Sequence, residues 1–280
     1  MIIEKIDLLR KFLKEKRQSG LSIGLVPTMG YLHEGHLSLI RRAKKENGVV
    51  VVSVFVNPSQ FAPNEDFDAY PRDIDRDYKL ASEAGADIVF HPDTEEMYPP
   101  YSNTFVEVGG EMTKVLCGAS RPTHFRGVTT VVNMLFNITN PDNAYFGQKD
   151  AQQAAIIEKM VRDLHLGIKI TVCPIVREAS GLAMSSRNKY LSEEEKTQAL
   201  VLNRSLDMAK RAIVNGQRNS AEIVRMITDR INKESLASID YVSVCSYPDL
   251  IAAEQIETRT LIALAVRFGK TRLIDNIIIE

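Results

Sequence analysis

A chain of 280 residues can bury roughly three quarters of the surface its unfolded form exposes, so it needs neither a metal nor disulfides to hold a core. Its 35 basic and 36 acidic residues leave a formal charge of -1, which argues against a general polyanion binder but allows a local positive cleft. Cys117, Cys173 and Cys245 are odd in number, far apart and free of CxxC spacing, so neither a disulfide framework nor structural zinc is expected. Reduced thiols and a cytoplasmic location follow from that usage. The N-terminal residues carry no apolar signal core and no Arg-rich transit pattern, and the longest apolar runs fall far below the roughly 20 residues of a membrane span.

Ile6, Leu9, Phe12 and Leu13 predict a short amphipathic helix. Residues 21–26 are apolar between Gly20 and Pro27 and read as a buried strand ending in a turn. From His36 to about Lys45 the leucines and isoleucine form a helical stripe, with Arg41, Arg42, Lys44 and Lys45 left for solvent. Residues 49–56 are a near-continuous β-branched run, the character of a central parallel strand covered on both faces. A helix over 73–84 and a strand over 87–90 continue the alternation. After an irregular passage through Gly109, Gly110 and residues 117–122 come a largely buried helix over about 125–138, a strand over 143–146, a helix over about 150–163 and a strand over 170–176. That order predicts an α/β fold with a parallel sheet, whose ligands sit beyond the C-terminal strand ends. From Leu191 the composition changes: one long helix towards Asn215, a second over 221–232, and strands over 241–245, 260–266 and 272–279 predict a smaller α+β domain. The division is placed after residue 182, giving domains of 1–182 and 183–280.

The first strand runs into Pro27-Thr28-Met29-Gly30-Tyr31-Leu32-His33-Glu34-Gly35-His36. Gly30 and Gly35 permit a close ligand or unusual backbone angles, and a helix start offers unpaired N–H groups to an anion. His33 and His36 can add two donors to phosphate oxygens and stabilise charge on an α-phosphate and a departing pyrophosphate. Ordinary packing is one alternative. Shared zinc is another, although no cysteine pair or HExxH pattern completes such a site. Asn57 and Gln60 close the next strand and can bind a hydroxyl or carboxylate, or simply make a polar turn. Asp73, Asp75 and Asp77 can reach a magnesium-bound water or start a solvated helix. Lys149 can neutralise triphosphate charge, Asp150 can contact ribose and Gln153 can recognise a small polar substrate. Ser185, Ser186 and Arg187 offer two hydroxyls and a fixed cation without a Walker A loop, with helix capping as the alternative. His124 either lines the acid site or steadies its own loop, the second being preferred.

Together PTMGYLHEGH, VNPSQF, YPR, SRPTHFRGV, YFGQKDAQQ, MSSRN and GKTRLIDN resemble the pantothenate synthetases, or pantoate-beta-alanine ligases, over residues 21–276. These belong to the HIGH-signature nucleotidyltransferases. The resemblance implies a Rossmann-like ATP- and pantoate-binding domain under a smaller C-terminal lid, in a homodimer. It implies ATP and magnesium, and condensation of D-pantoate with beta-alanine to pantothenate, AMP and pyrophosphate through a pantoyl adenylate. Catalytic roles are implied for His33, His36, Lys149 and Arg187. Nucleotide contacts are implied for Met29, Gly147, Lys149, Asp150, Val176, Met184, Ser185, Ser186 and Arg187. The implied pantoate pocket is Gln60, Gln153, Met29, Phe61 and Asn57, with Asp77 near magnesium. The chain departs from the family pattern at Met134, where lysine is common. Two alternatives stand beside this reading. One is an adenylyltransferase of a phosphorylated acceptor; the other is a nucleic-acid binder using the basic face at 41–45, which near-neutral composition disfavours.

Overall fold

The computed structural model describes residues 1–62 and 67–280. Among these, β1 (Ile2–Ile3), β2 (Ile23–Thr28), β3 (Val49–Val54), β4 (Ile88–Phe90), β5 (Asn143–Gly147) and β6 (Lys169–Cys173) form a parallel sheet in the order β1-β4-β3-β2-β5-β6. The intervening helices are α1 (Ile6–Gln18), α2 (Glu34–Glu46), α3 (Ile74–Ala84), the short α4 (Thr94–Met97) and α5 (Cys117–Ser120), then α6 (His124–Thr139) and α7 (Ala151–Asp163). None of the described helices is long and apolar enough to cross a membrane. β3 is buried throughout because both its faces meet helices: Val49 and Val51 join the core with α1, α6 and α7, while Val50, Val52 and Val54 join the core with α2 and α3. Met134 of α6 packs half-buried against the larger of these cores, an environment that suits its apolar side chain.

Strand order reverses between β2 and β5, the position where an open α/β sheet binds its ligand. β2 stays in register with β3 as far as Thr28 opposite Val54, and β5 with β6 as far as Gly147 opposite Cys173. β2 and β5 pair only at Gly24–Asn143 and Leu25–Ala144. Pro27 supplies a cause. The Thr28 carbonyl accepts from Phe55 N–H on the β3 side, so by strand alternation the N–H that Pro27 lacks would have faced β5. The strand predicted to stop before Pro27 therefore runs through it.

Below this opening a polar network closes the sheet. Asn47 donates to Ala43 O and Tyr145 Oη, accepts from Asn143 Nδ2, and Tyr145 Oη donates to Glu46. A Cβ on Gly24 would stand 2.6 Å from Asn47 Nδ2, so glycine there makes room for the network.

The second unit comprises α8 (Glu193–Ala199), α9 (Val201–Val214), α10 (Ser220–Ile231) and the antiparallel sheet β7 (Ala237–Ser246), β8 (Thr260–Phe268) and β9 (Thr271–Ile279). The single helix expected towards Asn215 is divided at Leu200, and Val201, Leu202 and Leu206 of α9 enter the core beneath the sheet. Leu182, the last residue before the expected division, packs into this same core. β8 serves both units: Ile262, Leu264 and Val266 face α9 and α10, while Leu261 and Ala263 join the core of the first unit.

Polar side chains of β9 complete the junction. Asp275 accepts two bonds from the Arg177 guanidinium, at 2.7 and 3.0 Å. Asn276 Nδ2 donates to Gln148 O at 2.9 Å and Lys149 O at 3.0 Å, clasping the turn that follows β5. Asp275→Ala removes both acceptors from Arg177 and is expected to lower the unfolding free energy by about 3 kcal/mol. Urea unfolding measures this, and a loss below about 0.5 kcal/mol would show the pair to be dispensable.

Candidate active site

The loop after β2 is held in a conformation that few residues adopt. Gly30 and Tyr31 have φ of 82° and 51°. A Cβ on Gly30 would lie 2.9 Å from both Asp77 Oδ2 and Val54 Cγ1, so angle and space both demand glycine. Asp77, on α3, is only 1 % exposed, and its carboxylate accepts from Tyr31 N–H at 2.6 Å and Leu32 N–H at 2.7 Å. Arg76 donates to Leu32 O at 2.9 Å. Asp77, expected near magnesium, is therefore turned into the loop backbone and does not line the cleft. It fixes the histidine loop.

His33 is the N-cap of α2. Its Nδ1 accepts from Gly35 N–H at 3.2 Å, while its own N–H donates to His36 Nδ1 at 3.3 Å. With both Nδ1 atoms accepting, each neutral ring carries its hydrogen on Nε2, an assignment made from the bonding pattern. The rings lie 4.0 Å apart between centroids, tilted by 30°. A Cβ on Gly35 would meet the His33 ring at 2.9 Å, which is why glycine stands between the two histidines in the first turn of α2. Burial, and then the Lys149 charge, lowers the His33 pKa to about 4. Burial also holds the His36 pKa well below the usual imidazole range, with His33 and Lys149 adding to the effect. At neutral pH the pair presents two uncharged Nε2–H donors.

The turn Pro58–Gln60 after β3 forms another wall. Asn57 spends both amide hydrogens internally, on Gln60 Oε1 and Gly127 O at 3.1 Å each, and its Oδ1 accepts from Ser59 Oγ and Tyr98 Oη. Asn57, expected to bind pantoate, lines the cavity and also orients Gln60, whose Nε2 end points to Met29 Sδ at 3.1 Å. A Cβ on Gly127 would come within 2.4 Å of Ser59 O, so this glycine lets α6 press against the turn. Phe61, also expected in the pocket, packs against Phe67 and Tyr70 instead. Tyr70 reaches the cleft in its place.

Lys149, in the turn after β5, has no carboxylate within ion-pair reach among the described residues, and Gln153 follows one helical turn later on α7. Met184 N–H donates to Val176 O at 3.0 Å, tying the segment after β6 to the Ser185 turn. Ser185 Oγ accepts from Arg187 N–H at 3.2 Å, so capping and site placement coexist. Every expected site residue except Phe61 and Asp77 lines one cavity of about 220 Å³. A chamber of about 750 Å³ adjoins it, sharing Lys149, Asp150, Gln153, Ser185 and Arg187. Sequence reasoning gave no role to Tyr70, to the apolar wall of Val128, Val131 and Leu135, or to Asn276 behind Lys149. Gly127 within an otherwise β-branched helix was the available signal for that wall.

Two measurements test this arrangement. The folded His33 imidazole resists protonation down to about 4, whereas an unfolded one protonates near 6.5. The unfolded state therefore binds more protons in that window, and the His33 contribution to stability falls as pH is lowered from 6.5 to 4. Urea titrations across the window should show a shallower slope for His33→Gln; an unchanged slope would contradict the assignment. Asp77→Asn should cost about 1–3 kcal/mol, because an amide NH₂ then faces a backbone N–H, and calorimetry would register it as a lower Tm.

Comparison with known proteins agrees with the geometry along the whole chain. The profile of the family described as pantoate-beta-alanine ligase matches residues 1–278. The pantothenate synthetase of Acetivibrio thermocellus is 56 % identical over 279 residues, covering 100 % of this chain and 99 % of the relative. That of Clostridioides difficile is 55 % identical over 280 residues, with coverage of 100 % and 99 %. The crystal structure of pantothenate synthetase from Thermus thermophilus superposes with a TM-score of 0.94 at 43 % identity, covering 99 % of this chain and 98 % of that one. The pantoate-beta-alanine ligase of Francisella tularensis, complexed with beta-gamma ATP and beta-alanine, gives 0.80 at 36 % identity, with coverage of 99 % and 97 %. With its fold, its cleft and its relatives in agreement, the chain belongs to the pantoate-beta-alanine ligase family.

Proposed function

We propose that this ligase activates D-pantoate with ATP and joins it to beta-alanine, releasing AMP, pyrophosphate and pantothenate. The observation that carries the reading is the presence of two kinds of wall in one small cavity. One kind is the two neutral Nε2–H donors with the Lys149 charge in reach; the other is the amides of Gln60 and Gln153 together with apolar Val128, Val131 and Leu135. The amide wall suits a hydroxylated carboxylic acid with a branched carbon, and the cationic wall suits a polyphosphate.

In this reading a pantoate carboxylate oxygen attacks the α-phosphorus, and the bond to pyrophosphate breaks. His33, His36 and Lys149, with Arg187 from the facing turn, stabilise the charge that develops on the α-phosphate and leaving group. Met29, Gly147, Asp150, Val176, Met184, Ser185 and Ser186 line the path of the nucleotide. The beta-alanine amine then attacks the acyl carbon and AMP departs. No protein nucleophile is needed.

Magnesium fits as an ion carried by the nucleotide. Asp150 is the one carboxylate lining the inner cavity among the described residues, and no group of three or more acidic, histidine or cysteine side chains there could hold a metal alone. Bound there, magnesium would neutralise phosphate charge, held by phosphate oxygens, waters and at most Asp150. A cytoplasmic homodimer belongs to the same proposal, and sedimentation velocity checks the oligomer. An adenylyltransferase acting on a phosphorylated acceptor is less well supported, because the uncharged amide wall provides no partner for a second phosphate.

The test is a mass-resolved reaction of ATP, D-pantoate and magnesium, with and without beta-alanine. Acyl adenylate and pantoate-dependent pyrophosphate are expected without the amine, and pantothenate with it. Absence of both products would overturn the proposal. His33→Ala and His36→Ala should each slow adenylate formation by about 10²–10³-fold, with pantoate binding changed far less. Wild-type rates in both folded variants would remove the pair from the mechanism.

A further inference from the structure

Tyr31 is a large side chain at a backbone angle that glycine or asparagine would adopt at lower cost. Its φ is 51°. Nothing in the hold on the loop explains the choice, since Asp77 binds the Tyr31 N–H, which any residue but proline would supply. A costly conformation kept by an unsuited residue points to a use for its side chain.

That use is visible on the ring. Lys189 Nζ lies 4.2 Å from its centroid, and the Arg76 guanidinium carbon 4.9 Å from it. Arg76 also binds Leu32 O, so it belongs to the scaffold of the histidine loop. Lys189 belongs to a separate segment, the turn Ser186–Tyr190 that carries Arg187 and is capped by Ser185. The ring thus bridges the loop that carries His33 and the turn that carries Ser185, Ser186 and Arg187. Both segments must face one triphosphate at once, and a gap between them of an ångström would weaken either set of contacts.

We infer that Tyr31 is a positioning residue: its ring, clasped by Lys189, sets the distance between the two phosphate-binding segments before nucleotide arrives. The inference rests on the reaction proposed above. The ring face makes the contact and the hydroxyl does not, so phenylalanine should serve as well as tyrosine. Lys189 is exposed, so its replacement leaves the core intact.

The experiment measures pantoate-dependent pyrophosphate release at saturating ATP for Tyr31→Leu, Tyr31→Phe, Lys189→Met and the double variant Tyr31→Leu/Lys189→Met. Expected for Tyr31→Leu and Lys189→Met is a rate loss of about 3- to 30-fold, the scale of one cation–π contact, with the KM for pantoate within about twofold. Tyr31→Phe should retain the wild-type rate. The double variant should lose clearly less than the product of the two single losses, since both changes remove the Lys189–Tyr31 contact, while Tyr31→Leu also frees Arg76 and Lys189→Met also leaves Tyr190. Wild-type rates in Lys189→Met, losses that multiply in the double variant, or a loss in Tyr31→Phe equal to that in Tyr31→Leu would each overturn the inference. Should Tyr31→Leu fail to fold, Lys189→Met and Tyr31→Phe still decide it. A wild-type enzyme that releases no pyrophosphate with pantoate would instead refute the proposed reaction, a distinguishable result.

Discussion

The parting of β2 and β5 is the constraint on which the rest of the site depends. Two pairs of residues join these strands, and each then continues only on its other neighbour. A parallel sheet gains by extending its ladder, so an opening needs a cause, and Pro27 provides one by lacking the N–H that would have faced β5. The space so created could have weakened the sheet. Below it, the Asn47, Tyr145 and Asn143 network ties the end of α2 to β5, with Gly24 of β2 making room for it. The histidine loop, Gln60, Lys149 and the Val176 segment follow β2, β3, β5 and β6, and their convergence is a consequence of that one gap.

Convergence alone would leave the loops loose, and three buried side chains remove that freedom. Asp77 fixes the Tyr31 and Leu32 amides, Asn57 fixes the Gln60 amide, and Asn276 fixes the carbonyls on either side of Lys149. In each case the side chain facing the cleft is supported from behind by a group whose hydrogen-bonding capacity is turned inward. Such support is what holds a site within the tolerance that chemistry requires.

The parallel sheet was legible in the sequence because its signal is local: the run at 49–56 could only be a strand buried on both faces, and β3 is one. The residues of the inner cavity were legible because family motifs carry them. Asp77 and Phe61 fell outside the inner cavity for a shared reason. A side chain near a site looks the same in sequence whether it points towards ligand or into the backbone behind it. Asp77 sits beside Asp73 and Asp75 at a helix start, and only the tertiary position of the Tyr31 amides distinguishes it. The break at Leu200 was equally hidden, since both halves of that segment are good helix and no glycine or proline marks the boundary. β1, with two residues, is too short to show any period at all.

The C-terminal sheet contributes more than a cover. Residues of β8 alternate between two cores, so the strand cannot move away from the first unit without exposing Leu261 and Ala263. Asp275 and Asn276 on the neighbouring β9 then point at the junction, one gripping Arg177 and the other the Lys149 turn. A partly buried ion pair adds little net stability after its desolvation, but its geometry is restrictive. Asn276, next to it on β9, holds the backbone of a lysine whose charge also helps to keep both histidines neutral, which links that geometry to the electrostatics of the cleft. The C-terminal unit therefore reaches the cleft from behind, through Asn276 on the backbone that carries Lys149.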